Sequence, residues 1–162
     1  LQVEGWAWTT ADFVFAWIAL SGTLGGWLFL ANRAPNRTYR TAAALALATG
    51  LALLWVNGAV GLIGREDNPA NRLYAGVLAL GLLGAALARA RPRGLARALA
   101  VTAFAQFLVP LIALLRWPDD FSPGLAPVLG LNFAFVLLFA TAAWLFRRAG
   151  RPAVAAEAPS RV

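Results

Sequence analysis

Cysteine, histidine, lysine and methionine are all absent from this chain. Without cysteine or histidine there is no thiolate or imidazole ligand for a metal, no disulfide, no axial histidine for haem, and neither a Ser-His-Asp nor a Cys-His pair. Without lysine there is no Schiff base to retinal or pyridoxal phosphate. Charge is scarce as well: 13% of the 162 residues are charged and 60% are hydrophobic. Soluble domains carry roughly 45–50% apolar and about 25% charged residues. One water-facing globule of this length cannot hide so much apolar surface, so the chain reads as a membrane protein.

What is present is a series of uncharged apolar runs. A membrane-spanning helix needs about 20 mostly apolar residues. Phe13–Asn32, Thr41–Gly64, Ala98–Leu115 and Pro127–Phe146 meet that requirement, and Pro127 suits a first helical turn. Leu73–Ala88 has only 16 uncharged residues, but half of them are Leu, Val or Tyr, and Arg72 and Arg89 can snorkel from its ends. The expectation is an all-α bundle of five transmembrane helices near 11–32, 41–64, 70–90, 96–116 and 127–147. It forms one domain over 1–148, followed by a small, Pro-containing disordered tail over 149–162.

All 14 basic residues are arginine, and the net charge is +7. With five spans, Arg33, Arg37, Arg40, Arg89, Arg91, Arg93, Arg97, Arg147, Arg148, Arg151 and Arg161 share one side, against Arg65, Arg72 and Arg116 on the other. The positive-inside rule then places the N-terminus outside and the C-terminus in the cytoplasm. The arginines sit in short connectors with no aromatic interleaving, so nucleic acid is not an expected partner. The lipid bilayer is, with anionic lipids expected at the arginine-rich face. Trp6, Trp8, Trp117, Trp27 and Trp144 fall near the expected boundaries, as an aromatic belt would.

No Asp, Glu or Arg lies inside any of the five uncharged runs, which counts against a proton relay, voltage sensor or ion pump. Small residues at helical spacing suggest tight helix packing: Gly22 and Gly26, Gly81 and Ala85, and one face of the second span with Gly50, Asn57, Gly61 and Gly64. In the fourth span Thr102, Gln106 and Pro110 share a face, and the proline withholds the usual donor from the Gln106 carbonyl.

The most distinctive segment runs from Trp55 to Tyr74, WVNGAVGLIGREDNPANRLY. Asn68 followed by Pro69 reads as a helix start, with Asn as the cap and Pro in the first turn. Glu66 and Asp67 before it would favour the positive end of the third helix. Alternatively the oxygen-rich segment binds a hard cation or cationic substrate. The candidate polar pocket comprises Asn57, Glu66, Asp67, Asn68, Asn71, Gln106 and Asn132. No catalytic residue, metal ligand or cofactor is expected.

Trp55-Val56-Asn57, Gly64, Glu66 to Asn71, Arg91-Pro92-Arg93-Gly94 and Ala96-Arg97-Ala98 together resemble small bacterial multi-span inner-membrane proteins of unassigned function. The resemblance implies a bacterial cytoplasmic membrane and brings no activity, substrate or cofactor. The favoured expectation is a non-enzymatic accessory or scaffold subunit that packs against itself or a membrane partner. A small transporter or channel with a polar pocket in the outer half is the first alternative, and a membrane enzyme the last.

Overall fold

A computed structural model describes residues 8–64, 68–118, 121 and 123–151. They form five helices: α1 Thr10–Asn32, α2 Arg37–Ala59, α3 Arg72–Ala88, α4 Pro92–Arg116 and α5 Leu125–Ala149. A 3-10 turn, Pro69–Asn71, leads directly into α3. All five helical segments are long and apolar enough to cross a membrane, counting α3 together with that turn. The protein is an all-α integral membrane bundle.

Short connectors make successive helices antiparallel. Helices α2, α3, α4 and α5 close a ring in which α4 packs most extensively, against α3 and α5, while α5 returns to α2. Helix α1 lies outside that ring and packs chiefly on α2. None of its residues is buried. Trp17 is 70% exposed and Phe13 61%, values that suit lipid contact rather than a water-facing surface.

Local chemistry sets the helix ends. Thr9 and Asp12 form a capping box at the start of α1: the Asp12 N–H donates to Thr9 Oγ1, and Asp12 Oδ2 accepts from the Thr9 N–H. Asn36 does two jobs at the other end of the bundle. Its Oδ1 accepts from Tyr39 N at 2.9 Å, capping α2, while its Nδ2 donates to the Ala149 carbonyl at 3.1 Å, in the last turn of α5. Two packed clusters fill the ring. One gathers Leu53, Tyr74, Val77, Val109, Phe135 and Phe139; the other centres on Tyr39, Leu95 and Phe146. In the second, the Tyr39 and Phe146 rings meet edge to face at 4.9 Å, a geometry that adds about 0.5–1.5 kcal/mol beyond area burial.

Two expectations need correction. The second span does not continue to Gly64. Helix α2 stops at Ala59, and Gly61 and Gly64 take φ values of 73° and 64° in the loop beyond it. That left-handed backbone is one glycine adopts without a Cβ penalty. Gly61 and Gly64 therefore do not share a helical face with Gly50 and Asn57. The uncharged run misled because the loop is itself apolar and packed inward, with Leu62 2% and Ile63 0% exposed. The third span, short by charge counting, gains length from the Pro69–Asn71 turn. At the far end α5 runs on to Ala149 with Gly150 as its cap, and the expected tail from 152 onward lies outside the described residues.

Close packing between α3 and α4 depends on glycines from both helices, Gly84 on α3 and Gly94 on α4, where an added Cβ would come within 3.0 Å of the facing helix. A Cβ at Gly84 would sit 2.7 Å from the Ala98 Cβ, so the two helices touch where no larger residue fits. The turn between them passes through Arg89 and Ala90, at φ 48° and 61°. Two L-residues in that region each cost roughly 1–2 kcal/mol. The Tyr39 hydroxyl donates to the Ala90 carbonyl at 2.8 Å and ties this turn to α2.

Candidate functional site

The polar residues expected to form a pocket separate into two bonded groups at the end of the bundle where α3 and α5 begin. The first is a knot around Asn71. Its Oδ1 accepts from the backbone N–H of Leu62 at 3.1 Å and of Ile63 at 3.0 Å, and its Nδ2 donates to the Ile63 carbonyl at 3.2 Å. One side chain thus satisfies three main-chain groups of the loop that follows α2. In a hydrocarbon setting such irregular backbone is tolerated only where protein satisfies it. Asn57, near the end of α2, donates from Nδ2 to the Asn71 carbonyl at 3.2 Å. Asn68 turns its Oδ1 to Ala70 N at 2.9 Å and opens the 3-10 turn, with Pro69 following as expected of a helix start.

The second group lies deeper. Asn132 Oδ1 accepts from the Tyr74 hydroxyl at 2.6 Å and from Gln106 Nε2 at 3.1 Å. Its Nδ2 donates back to the Val128 carbonyl at 2.9 Å, which fixes the amide within α5. Tyr74, Gln106 and Asn132 come from α3, α4 and α5 and are all at most 1% exposed. The two groups meet at the start of α3, where Asn71 and Tyr74 stand one turn apart. Thr102 stands one turn from Gln106 on α4, and its hydroxyl bonds the Ala98 carbonyl.

Two acceptors in this region have no donor among the described residues: Asn57 Oδ1 and Gln106 Oε1, both buried. Buried amide oxygens are normally paired, so each calls for a hydrogen-bond donor or a cation. Glu66 and Asp67 lie outside the described residues. Gln106 and Asn132 are bonded to each other, Asn57 to Asn71, and Asn68 is spent on its own turn.

Tyr74 went unremarked in the sequence, although it carries the shortest polar contact in the core. The available signal was general: a tyrosine inside an apolar span must find a partner for its hydroxyl. The same holds for Tyr39 at the opposite end.

Two openings in the surface lie at that opposite end. A groove of about 780 Å3 runs between α4 and α5, bordered by Arg93, Arg97 and Arg147. A smaller one of about 190 Å3 lies beside it among Trp144, Arg147, Arg148 and Arg151. Of the twelve described arginines, ten stand at this end, and the described carboxylate, Asp12, stands at the other. Comparison with family models, with curated proteins and with solved structures found no match.

Proposed function

We propose that this chain is a non-enzymatic membrane subunit, an accessory or scaffold that packs through α1 against a second copy of itself or another membrane protein. The observation that carries the proposal is the state of α1. It stands outside the four-helix ring with no buried residue, and it exposes Ser21, Gly22 and Gly25 on one face. A Cβ placed at Gly22 or Gly25 would meet nothing within 4 Å, so neither glycine is required by packing inside this chain. Small residues at this spacing let two membrane helices approach closely. By contrast, the internal amides are largely spent on holding the chain's own backbone and on one another.

In this reading the arginine-rich end faces the cytoplasm of a bacterial cell and the Asn71 knot faces outward, as the positive-inside rule directs. Reporter fusions at either terminus test the orientation. Association is tested by gentle extraction and native mass spectrometry of the wild type and of a Gly22→Leu, Gly25→Leu variant. The expected result is an oligomer or heteromer that the variant loses while its helical content and thermal stability are retained. A wild type that is monomeric under the gentlest extraction contradicts the proposal.

A second reading, a small transporter or channel, is favoured by one observation: the two buried acceptors, Asn57 Oδ1 and Gln106 Oε1, without donors among the described residues. Acceptors of this kind suit a hydroxyl, ammonium or small cation. Under that reading Gln106→Leu abolishes transport in proteoliposomes with no loss of assembly.

A further inference from the structure

The groove between α4 and α5 has the chemistry of a lipid site. On α4, positions 93, 96, 97, 100 and 103 recur at three- and four-residue steps and so form one face. Across from it, α5 contributes positions 140, 143, 144 and 147. The stem of the groove is floored with alanines: Ala100 and Ala103 on one side, Ala140 and Ala143 on the other. Alanine methyls reach only a short way across the seam, and about 780 Å3 stays open between the two helices. That volume lies in the roughly 300–1,000 Å3 range of small-molecule sites.

The groove changes character along its length. Arg93, Arg97 and Arg147 crowd its mouth, and no carboxylate stands at that end among the described residues. A guanidinium does not deprotonate in proteins, so three of them lining one groove, with no counter-charge among the described residues, call for an anion. Their planar donor fork suits phosphate oxygens in particular. From Arg93 to Ala103 the helix rises about 15 Å, at 1.5 Å per residue. That is half of the ~30 Å hydrocarbon core, the depth of one leaflet. A basic mouth at the interface above an apolar stem of leaflet depth matches one molecule type, a phospholipid with net negative charge.

Trp144 completes the arrangement. Trp144 is 55% exposed at the side of the groove, and the Arg148 guanidinium lies 5.4 Å from its ring centre. Tryptophan in this position buries its ring among acyl chains and keeps its N–H near the headgroups. The smaller pocket shares Trp144 and Arg147 with the groove and adds Arg148 and Arg151, extending the basic mouth along the end of α5.

We infer that the α4–α5 groove binds an anionic phospholipid, the phosphate held by Arg93, Arg97 and Arg147 and an acyl chain lying along the alanine floor. The site requires only that the helices lie in a bilayer, and it does not depend on what α1 contacts.

The test uses the full chain in a neutral detergent, titrated with phosphatidylglycerol or phosphatidylcholine and read by native mass spectrometry. Wild type should hold one phosphatidylglycerol at least tenfold more tightly than phosphatidylcholine. Replacing Arg93, Arg97 and Arg147 together by Gln should weaken it on the order of 100-fold. Replacing Arg33, Arg37 and Arg40 by Gln removes the same charge from the same end and should change affinity less than twofold. Ala100→Phe fills the stem without touching charge and should also cost at least tenfold, which keeps the test decisive should the triple variant misfold. Equal binding of the two lipids overturns the proposal, as does equal loss in both triple variants. So does full competition by inorganic phosphate at lipid-like concentration, since that would mean a bare anion site.

Discussion

The Asn71 side chain is expected to be the costliest single amide to lose. Asn71→Leu nearly preserves side-chain shape, so packing changes little, but it strips the acceptor from the Leu62 and Ile63 N–H groups and the donor from the Ile63 carbonyl. Leu62 and Ile63 are 2% and 0% exposed, which leaves little water to take the place of the amide. Each buried donor left unsatisfied costs about 1–3 kcal/mol, so the two together predict a loss of about 2–6 kcal/mol. Asn68→Ala is the matched control. It removes one acceptor at a helix start, Oδ1 to Ala70 N, for about 0.5–2 kcal/mol. Both are measured by denaturant unfolding in mixed micelles followed by tryptophan fluorescence. The reasoning is refuted if Asn71→Leu costs less than about 1 kcal/mol, within the range of one ordinary hydrogen bond, or less than Asn68→Ala.

Other substitutions probe the remaining contacts by the same unfolding measurement. Tyr39→Phe removes the hydroxyl bonded to the Ala90 carbonyl and should cost about 1 kcal/mol, whereas Ala90→Gly relieves a left-handed residue and should gain about 0.5–1 kcal/mol. Gly84→Ala forces a Cβ against Ala98 and should destabilise by about 1–3 kcal/mol, although alanine is the better helix former. Asn132→Leu leaves the Tyr74 hydroxyl and Gln106 Nε2 without their acceptor and should cost at least about 2 kcal/mol. Gln106→Met deletes one hydrogen bond together with an acceptor that has no donor among the described residues, so it should fall within about 1 kcal/mol of wild type.

The fold was legible wherever charge and apolar length coincide. Arginines bracket most of the uncharged runs, and five such runs became five helices. Legibility failed after Ala59, because hydropathy cannot distinguish a buried loop from a helix. Leu62 and Ile63 are as apolar as any span residue, yet they lie between two glycines in left-handed backbone. Asn68 and Pro69 could be read because a cap and a first-turn proline act locally. The pairing of Tyr74, Gln106 and Asn132 could not, since it depends on how α3, α4 and α5 rotate against one another. The groove between α4 and α5 is half legible: its arginines carry a topology signal in the sequence, while the alanine floor depends on which faces of α4 and α5 meet.

The central claim, that α1 is a contact surface for another membrane helix, can be tested directly because the chain has no cysteine. A single Gly25→Cys substitution creates the one thiol, on the small-residue face, and Leu87→Cys on α3 provides an 83% exposed control. Thiol cross-linking in intact membranes should convert Gly25→Cys into a discrete band of higher mass, whose composition names the partner or a second copy, and should leave Leu87→Cys monomeric. If Gly25→Cys stays monomeric, or if both positions cross-link equally and without a discrete product, α1 faces only lipid and the proposal is wrong.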